Sequence, residues 1–191
     1  MAILCCNVGW MENYSGIIGD SIKNGGDYIK KNAIGGEIIN FYPCNGNFYG
    51  YVRNKDNFNL KRLTSDKKII KQGYVDGVNI IWVANNDLNS VIVGWYKNAR
   101  VYSQRQIIKD LEIPIVGDIL KKNKKELSLD DDDESGYYRF VAKQEDCVLL
   151  TIEQRTFLFR RKGAGFMGQR PFWYADSEES REFVKSIKEY I

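Results

Sequence analysis

The stretch VNIIWVANNDLNSVIVGWYKNARVY, residues 78–102, decides the fold. Two strand-like runs, 78–85 and 91–102, flank the polar NDLNS, and this pattern predicts a β-hairpin. Within the first run IIWVA is continuously apolar. A strand of that kind is covered on both faces, so it is expected to be central in its sheet. In the second run, alternation puts Val91, Val93, Trp95 and Lys97 on one face and Ile92, Gly94, Tyr96 and Asn98 on the other.

Outward from this hairpin the chain remains mostly strand-like. EIINFYPC (37–44) and FYGYVRN (48–54) flank Asn45-Gly46-Asn47, the signature of a second tight hairpin. YYRFVA (137–142) and CVLLTIE (147–153) make a third pair, joined by the polar KQED. MAILCCNVGW reads as a first strand, too short in its apolar run for a secretory signal. Helices are fewer. The C-terminal one is capped by Asp176 or Ser177 and presents Phe183, Val184, Ile187, Tyr190 and Ile191 on one face. SQRQ at Ser103 opens either a helix ending before Pro114 or an extension of the strand, and a short helix is expected over 27–32. The expected fold class is α+β, mostly β. It is a single domain over 1–191: a small curved open barrel with a few short helices and a C-terminal amphipathic helix. Because that helix runs to Ile191 without a glycine cap, the chain reads as the N-terminal part of a longer protein.

Composition excludes much chemistry. Histidine is absent, which removes Ser-His-Asp triads, Cys-His dyads, HExxH metalloproteases and the zinc deaminase signature. The four cysteines, at 5, 6, 44 and 147, form no CxxC pair and read as reduced. Glu37 and Glu153 are the only acids set in strand-like segments, and neither has a second acid nearby for paired-carboxylate hydrolysis. The domain is therefore expected not to be an enzyme, and no cofactor or metal is expected. No apolar run approaches the roughly 20 residues of a membrane helix, and the expected location is the cytoplasm.

The net charge of +3 conceals an asymmetry. ELSLDDDDE (126–134) holds six acids and no base, and the tail 176–191 holds five acids and three bases. Of 28 Lys and Arg and 25 Asp and Glu in all, 25 bases and 14 acids remain elsewhere, a balance suited to a polyanion. The stretch 121–136 reads as an exposed acidic loop, and its acid run is a candidate cover for the cationic face when no ligand is bound.

Three stretches carry binding chemistry. RRKGAGFMGQRPFWYAD (160–176) joins cations to glycines and aromatics. Arg160, Arg161, Lys162 and Arg170 are candidate phosphate ligands, glycines allow close backbone approach, and Gln169 and Trp173 are candidate base contacts. The alternative is a β-turn with a solvated basic rim and core aromatics. VIVGWYKNARVY offers Trp95, Tyr96 and Asn98 to hold a planar heterocycle, with Lys97 and Arg100 for phosphates, unless its rings are ordinary core. NVGWMENYSG (7–16) places Trp10 and Tyr14 in a loop, either at a base pocket or as a hydrophobic plug.

The order NVGWM, GGEIINFYPCNGNFYGYV, GVNIIWVANN, VIVGWYKNARVY and GFMGQRPFWYAD resembles N-terminal segments of bacterial proteins that carry a nuclease-like domain further along. Those segments are similar in role to the PUA-like readers of EVE, YTH and SRA type in modification-dependent restriction. The resemblance implies a DNA-binding reader that flips a modified base and serves a restriction or antiviral-defence nuclease in the same protein. RNA binding and nucleotide sensing are the alternatives.

Overall fold

The computed structural model describes residues 1–16, 18–24, 36–54, 56–107 and 137–191. The expected helix at 27–32 and the acidic stretch 121–136 lie outside these residues. The architecture is an open seven-stranded mixed sheet with a few short helices and a C-terminal helix. Its strands are β1 (Ile3–Val8), β2 (Asn47–Gly50), β3 (Tyr74–Asn85), β4 (Ser90–Ile107), β5 (Tyr137–Lys143), β6 (Cys147–Leu149) and β7 (Phe172–Trp173). Among the described residues the α-helices are α1 (Lys67–Gln72) and α2 (Arg181–Tyr190). Strand order is β2-β5-β4-β3-β1-β7, with β6 also on β4. Among the described strands only β1 and β3 run parallel to each other.

The central hairpin forms as expected, and Ile80 to Ala84 are fully buried between two hydrophobic layers. One layer holds Leu4, Cys6, Tyr14, Phe41, Trp82, Tyr96 and Phe140. The other holds Ile3, Cys5, Ile81, Trp95, Trp173, Val184 and Ile187, and α2 closes it. Adjacent Cys5 and Cys6 therefore point to opposite faces, as strand geometry requires.

Alternation in β4 is corrected by bulges. Trp82 pairs with Gly94 but Val83 with Ile92, so Val93 is an extra residue and Val93 and Trp95 lie in different layers. A second extra residue falls between Tyr96 and Ala99, where Asn98 adopts φ 51°. A compensating one falls between Val75 and Val78, where Gly77 has φ 76°. Such insertions bend a strand and sharpen its twist.

Two expected pairings are also corrected. Gly36–Ile39 is a 3-10 turn, not a strand, although Asn45-Gly46 does make a tight reversal with φ of 48° and 75°. The partner of β2 is β5. Nor do β5 and β6 pair with each other: both run antiparallel to β4, β5 beside Arg100 to Ile107 and β6 beside Gly94 to Tyr96. Residues 144–146 are a single 3-10 step in one broken strand, not a hairpin turn. Beyond Ser103, β4 continues as strand to Ile107, so the described part of that segment is the strand extension.

The C-terminal helix forms with the expected face. Ser177 leads a 3-10 turn, Glu178–Ser180, into α2, whose Val184 and Ile187 are buried. Among the described residues no helix is long and apolar enough to cross a membrane.

Candidate nucleic-acid site

The rings expected to converge on one pocket do not. Trp95 and Trp173 are 8 % and 3 % exposed and lie in the layer beneath α2, whereas Tyr96 and Tyr14 are 0 % and 1 % exposed in the opposite layer. The sheet separates the two sets. A strand buried on both faces must fill both layers with large side chains, and these rings do that work. Tyr96 donates its hydroxyl to the Asn40 carbonyl, and Asn40 in turn bonds the Tyr51 backbone in both directions. Tyr14, at φ 50°, donates to the Gly9 carbonyl at 2.7 Å and pins its own loop. Burial pushes its phenol up, out of the ordinary tyrosine range.

Trp10 is different. It sits just beyond the C-terminal end of β1, half-buried, and its backbone pairs with Lys23 at 2.6 and 2.8 Å. Beneath it lies Arg155, whose guanidinium carbon is 4.8 Å from the indole centroid. Arg155 is 5 % exposed and donates to the carbonyls of Leu150, Met11 and Glu12 at 3.1, 2.6 and 2.6 Å. Burial lowers its pKa, and the neighbouring Tyr14, Asp20, Glu12 and Glu153 work the other way. The arginine thus carries the loop around Trp10 on a fixed cationic base.

Asp20 closes that loop, accepting from the amides of Glu12 and Asn13 at 3.1 and 2.7 Å. The result is an open pocket of about 410 Å³ lined by Trp10, Glu12, Asp20, Ser21, Lys23 and Ile152 among others. A broader depression of about 740 Å³ between 45–47 and 143–145 has no aromatic lining, so it offers no stacking face. Arg155 carried no sequence signal beyond being one cation in a polar turn, and Glu12 and Asp20 none at all.

The cations divide. Arg161 is half-buried and structural: it donates to Asn7 Oδ1 at 2.7 Å and to the Gly168 carbonyl at 2.8 Å, and burial lowers its pKa. Arg160 is exposed and stacks on Phe166 at 4.3 Å. Lys162, Gln169 and Arg170 are exposed on the same loop. The Arg161–Asn7 bond ties this loop to β1 three residues before Trp10, about 10 Å along a strand. Lys97 donates to the Ile191 carbonyl, and Arg100 makes a two-toothed ion pair with Asp76 at 2.7 and 3.0 Å. Both sit with exposed Asn98 in the middle of β4, away from Trp10.

Glu37 is buried in its 3-10 turn and accepts from the Gly9 amide, whereas Glu153 is exposed in another turn, so neither occupies a strand. No family model matches this chain, and no curated protein or solved structure is significantly similar to it.

Proposed function

We propose that the chain is a nucleic-acid-binding module that holds one unstacked base against Trp10. The observation that carries this reading is the Trp10–Arg155 stack: one face of the indole rests on a buried guanidinium and the ring borders an open pocket of about 410 Å³. Stacking of a base on an aromatic ring contributes about 1–3 kcal/mol. The exposed Arg160, Lys162 and Arg170 lie beside the same end of β1 and suit the flanking phosphates.

The lining favours a base over a free nucleotide. Glu12 and Asp20 bring carboxylates to the pocket, which repel a phosphate but accept from an exocyclic amino group such as cytosine N4. DNA is the preferred polymer and a modified base the preferred target. A substituent on the base is sensed by the pocket's size, and the reader serves a nuclease in the same protein. These last elements rest on the family resemblance.

Fluorescence anisotropy with labelled duplexes carrying plain, 5-methylated or mismatched cytosine tests the proposal. Trp10→Ala is expected to weaken binding by about fivefold to 150-fold, the equivalent of one stacked base. Absence of binding to any oligonucleotide, or equal binding by wild type and Trp10→Ala, overturns the reading. Equal binding of plain and modified DNA removes the modification from it.

A further inference from the structure

Among the described residues, α2 packs over one part of its face of the sheet. The layer it closes holds Ile3, Cys5, Ile81, Trp95 and Trp173, all in the β1, β3, β7 and early β4 region, and Tyr190 of α2 packs on Trp95. Further along, the same face carries tyrosines. In β3 and β4 the cross-strand partners Val75 and Val101 point into the opposite layer, so their neighbours Tyr74 and Tyr102, also paired, point outward. In β2, Phe48 points inward and Tyr49 outward. Tyr138 of β5 completes the set.

These four rings come from four adjacent strands, β2-β5-β4-β3, and touch in an unbroken chain. Tyr49 and Tyr138 are 5.1 Å apart, Tyr138 and Tyr102 5.8 Å, Tyr102 and Tyr74 5.7 Å. All four are half-buried, none enclosed in either hydrophobic layer. Arg100 lies over the Tyr74 ring at 4.0 Å and is oriented there by Asp76. Exposed Lys71 lies in the last turn of α1, just before Tyr74, whereas the Arg105–Tyr137 stack at 5.0 Å alternates with Gln106 and Tyr138 and belongs to the opposite face.

We infer that this half-sheet, left open by α2 among the described residues, is a second binding surface, a track for single-stranded nucleic acid on which bases stack against the tyrosine row. It is separate from the Trp10 pocket. Tyr74 and Asn85 are the two ends of β3, about 35 Å apart if extended, and the pocket lies beyond the Asn85 end. Three strand spacings of about 4.8 Å make the row roughly 15 Å long. At about 3.4 Å per nucleotide that length accepts about four bases. Sheet-borne aromatics are the means by which other small β-rich modules stack unpaired bases. Arg100 on this face and Lys71 in the last turn of α1, against the single carboxylate of Asp76, leave a positive balance that complements a phosphate backbone. Partial burial raises the Tyr49 and Tyr138 pKa values, so their hydroxyls remain protonated donors at neutral pH.

The test measures binding of labelled twelve-nucleotide single strands, DNA and RNA, to the wild-type chain, to Tyr102→Leu with Tyr138→Leu, to the matching Tyr→Phe pair, and to Trp10→Ala. The Leu pair is expected to lose tenfold or more in single-strand affinity, the Phe pair to stay within threefold, and duplex binding through the pocket to be unchanged in both. Ultraviolet crosslinking of 5-iodouridine and 5-iododeoxyuridine oligomers to the wild-type chain, mapped by mass spectrometry, is expected to mark Tyr102 or Tyr138, even if the Leu pair folds poorly. A stronger DNA or RNA arm names the natural strand. Wild-type single-strand affinity in the Leu pair, crosslinks confined to Trp10, or a wild-type dimer that dissociates in the Leu pair overturns the inference. If Trp10→Ala alone is silent, the pocket falls and the track stands.

Discussion

Arg155 holds its guanidinium 4.8 Å from the Trp10 ring while its N–H groups occupy three backbone carbonyls. One buried side chain thus fixes both the loop and the ring it presents. Arg155→Met keeps the apolar stem but strands those carbonyls, each worth about 1–3 kcal/mol when left buried without a donor. We expect a loss of about 3 kcal/mol or more by denaturant titration, with faster amide exchange at Trp10 and Lys23 than elsewhere. Arg155→Lys is expected to rescue little, because an ammonium cannot span the fork. Unchanged exchange at Trp10 would separate the loop from the arginine.

Gly94 marks where the broken β5–β6 strand closes on β4. A Cβ there meets the Val148 carbonyl at 2.4 Å and the Phe41 ring at 2.8 Å. Neither yields easily, since one is backbone and the other packs among Tyr14, Phe48 and Tyr96. Gly94→Ala is expected to cost about 1–3 kcal/mol. In a chain of this size that lowers Tm by roughly 2–4 °C per kcal/mol. A Tm within 1 °C of wild type would mean that β6 is not held against Gly94 in solution.

The same glycine shows what the sequence could and could not disclose. The central hairpin was legible because IIWVA and its flanking turn leave few other solutions, and α2 because five apolar residues share one face. The layer of each ring was not legible. One extra residue at Val93 changes the parity of everything after it, and bulges leave no compositional mark at that position. β5 and β6 looked like a hairpin because polar KQED separates them, but the same polar step also serves a strand that breaks and resumes on one partner. Of the base-pocket candidates Trp10 borders an open pocket and offers a ring to it. Arg155, which makes it usable, is defined by contacts 143 and 144 residues away in sequence. The tyrosine row escaped for a similar reason: its members come from four strands, and nothing in any one segment joins them.

Trp95 supplies a control for these readings. It packs edge-on to Tyr190 of α2 at 6.0 Å, and among the described residues its buried indole N–H has no acceptor. Trp95→Ala is expected to cost about 3–5 kcal/mol. Trp95→Phe removes the unmatched donor and should cost well under half of that. Under folded conditions neither variant should change oligonucleotide affinity by more than twofold. A larger loss in Trp95→Phe would return this ring to the binding site.

Arg62 lies over the Tyr174 ring at 4.3 Å and donates to Asp176 at 2.7 Å. That hydrogen bond, more than simple charge attraction, holds the Asp176 carboxyl below its usual range. A carboxyl whose pKa is depressed on folding contributes stability above its unfolded pKa and loses it as pH falls through the folded value. Because the pair is more than a third exposed, its contribution is small, below about 1 kcal/mol. Asp176→Asn should therefore lower Tm slightly at pH 7 and not at all near pH 2. An equal shift at both pH values would assign the effect to packing.

The cysteines give the two layers a chemical readout. All four are free; Cys5 and Cys6 are fully buried on opposite faces. Burial raises both thiols far from the titratable range, and burial with the Asp146 charge pushes Cys147 up to about 12. Cys44, beside the Asn45-Gly46 turn, is only half-buried and raised less. Since the thiolate is the nucleophile, a disulfide reagent at pH 8 should modify one thiol per folded chain first. Cys44→Ser should abolish that fast phase, and guanidinium should expose the remaining three. A fast second equivalent at Cys5 would mean that α2 lifts from its layer, and one at Cys6 that the opposite layer opens.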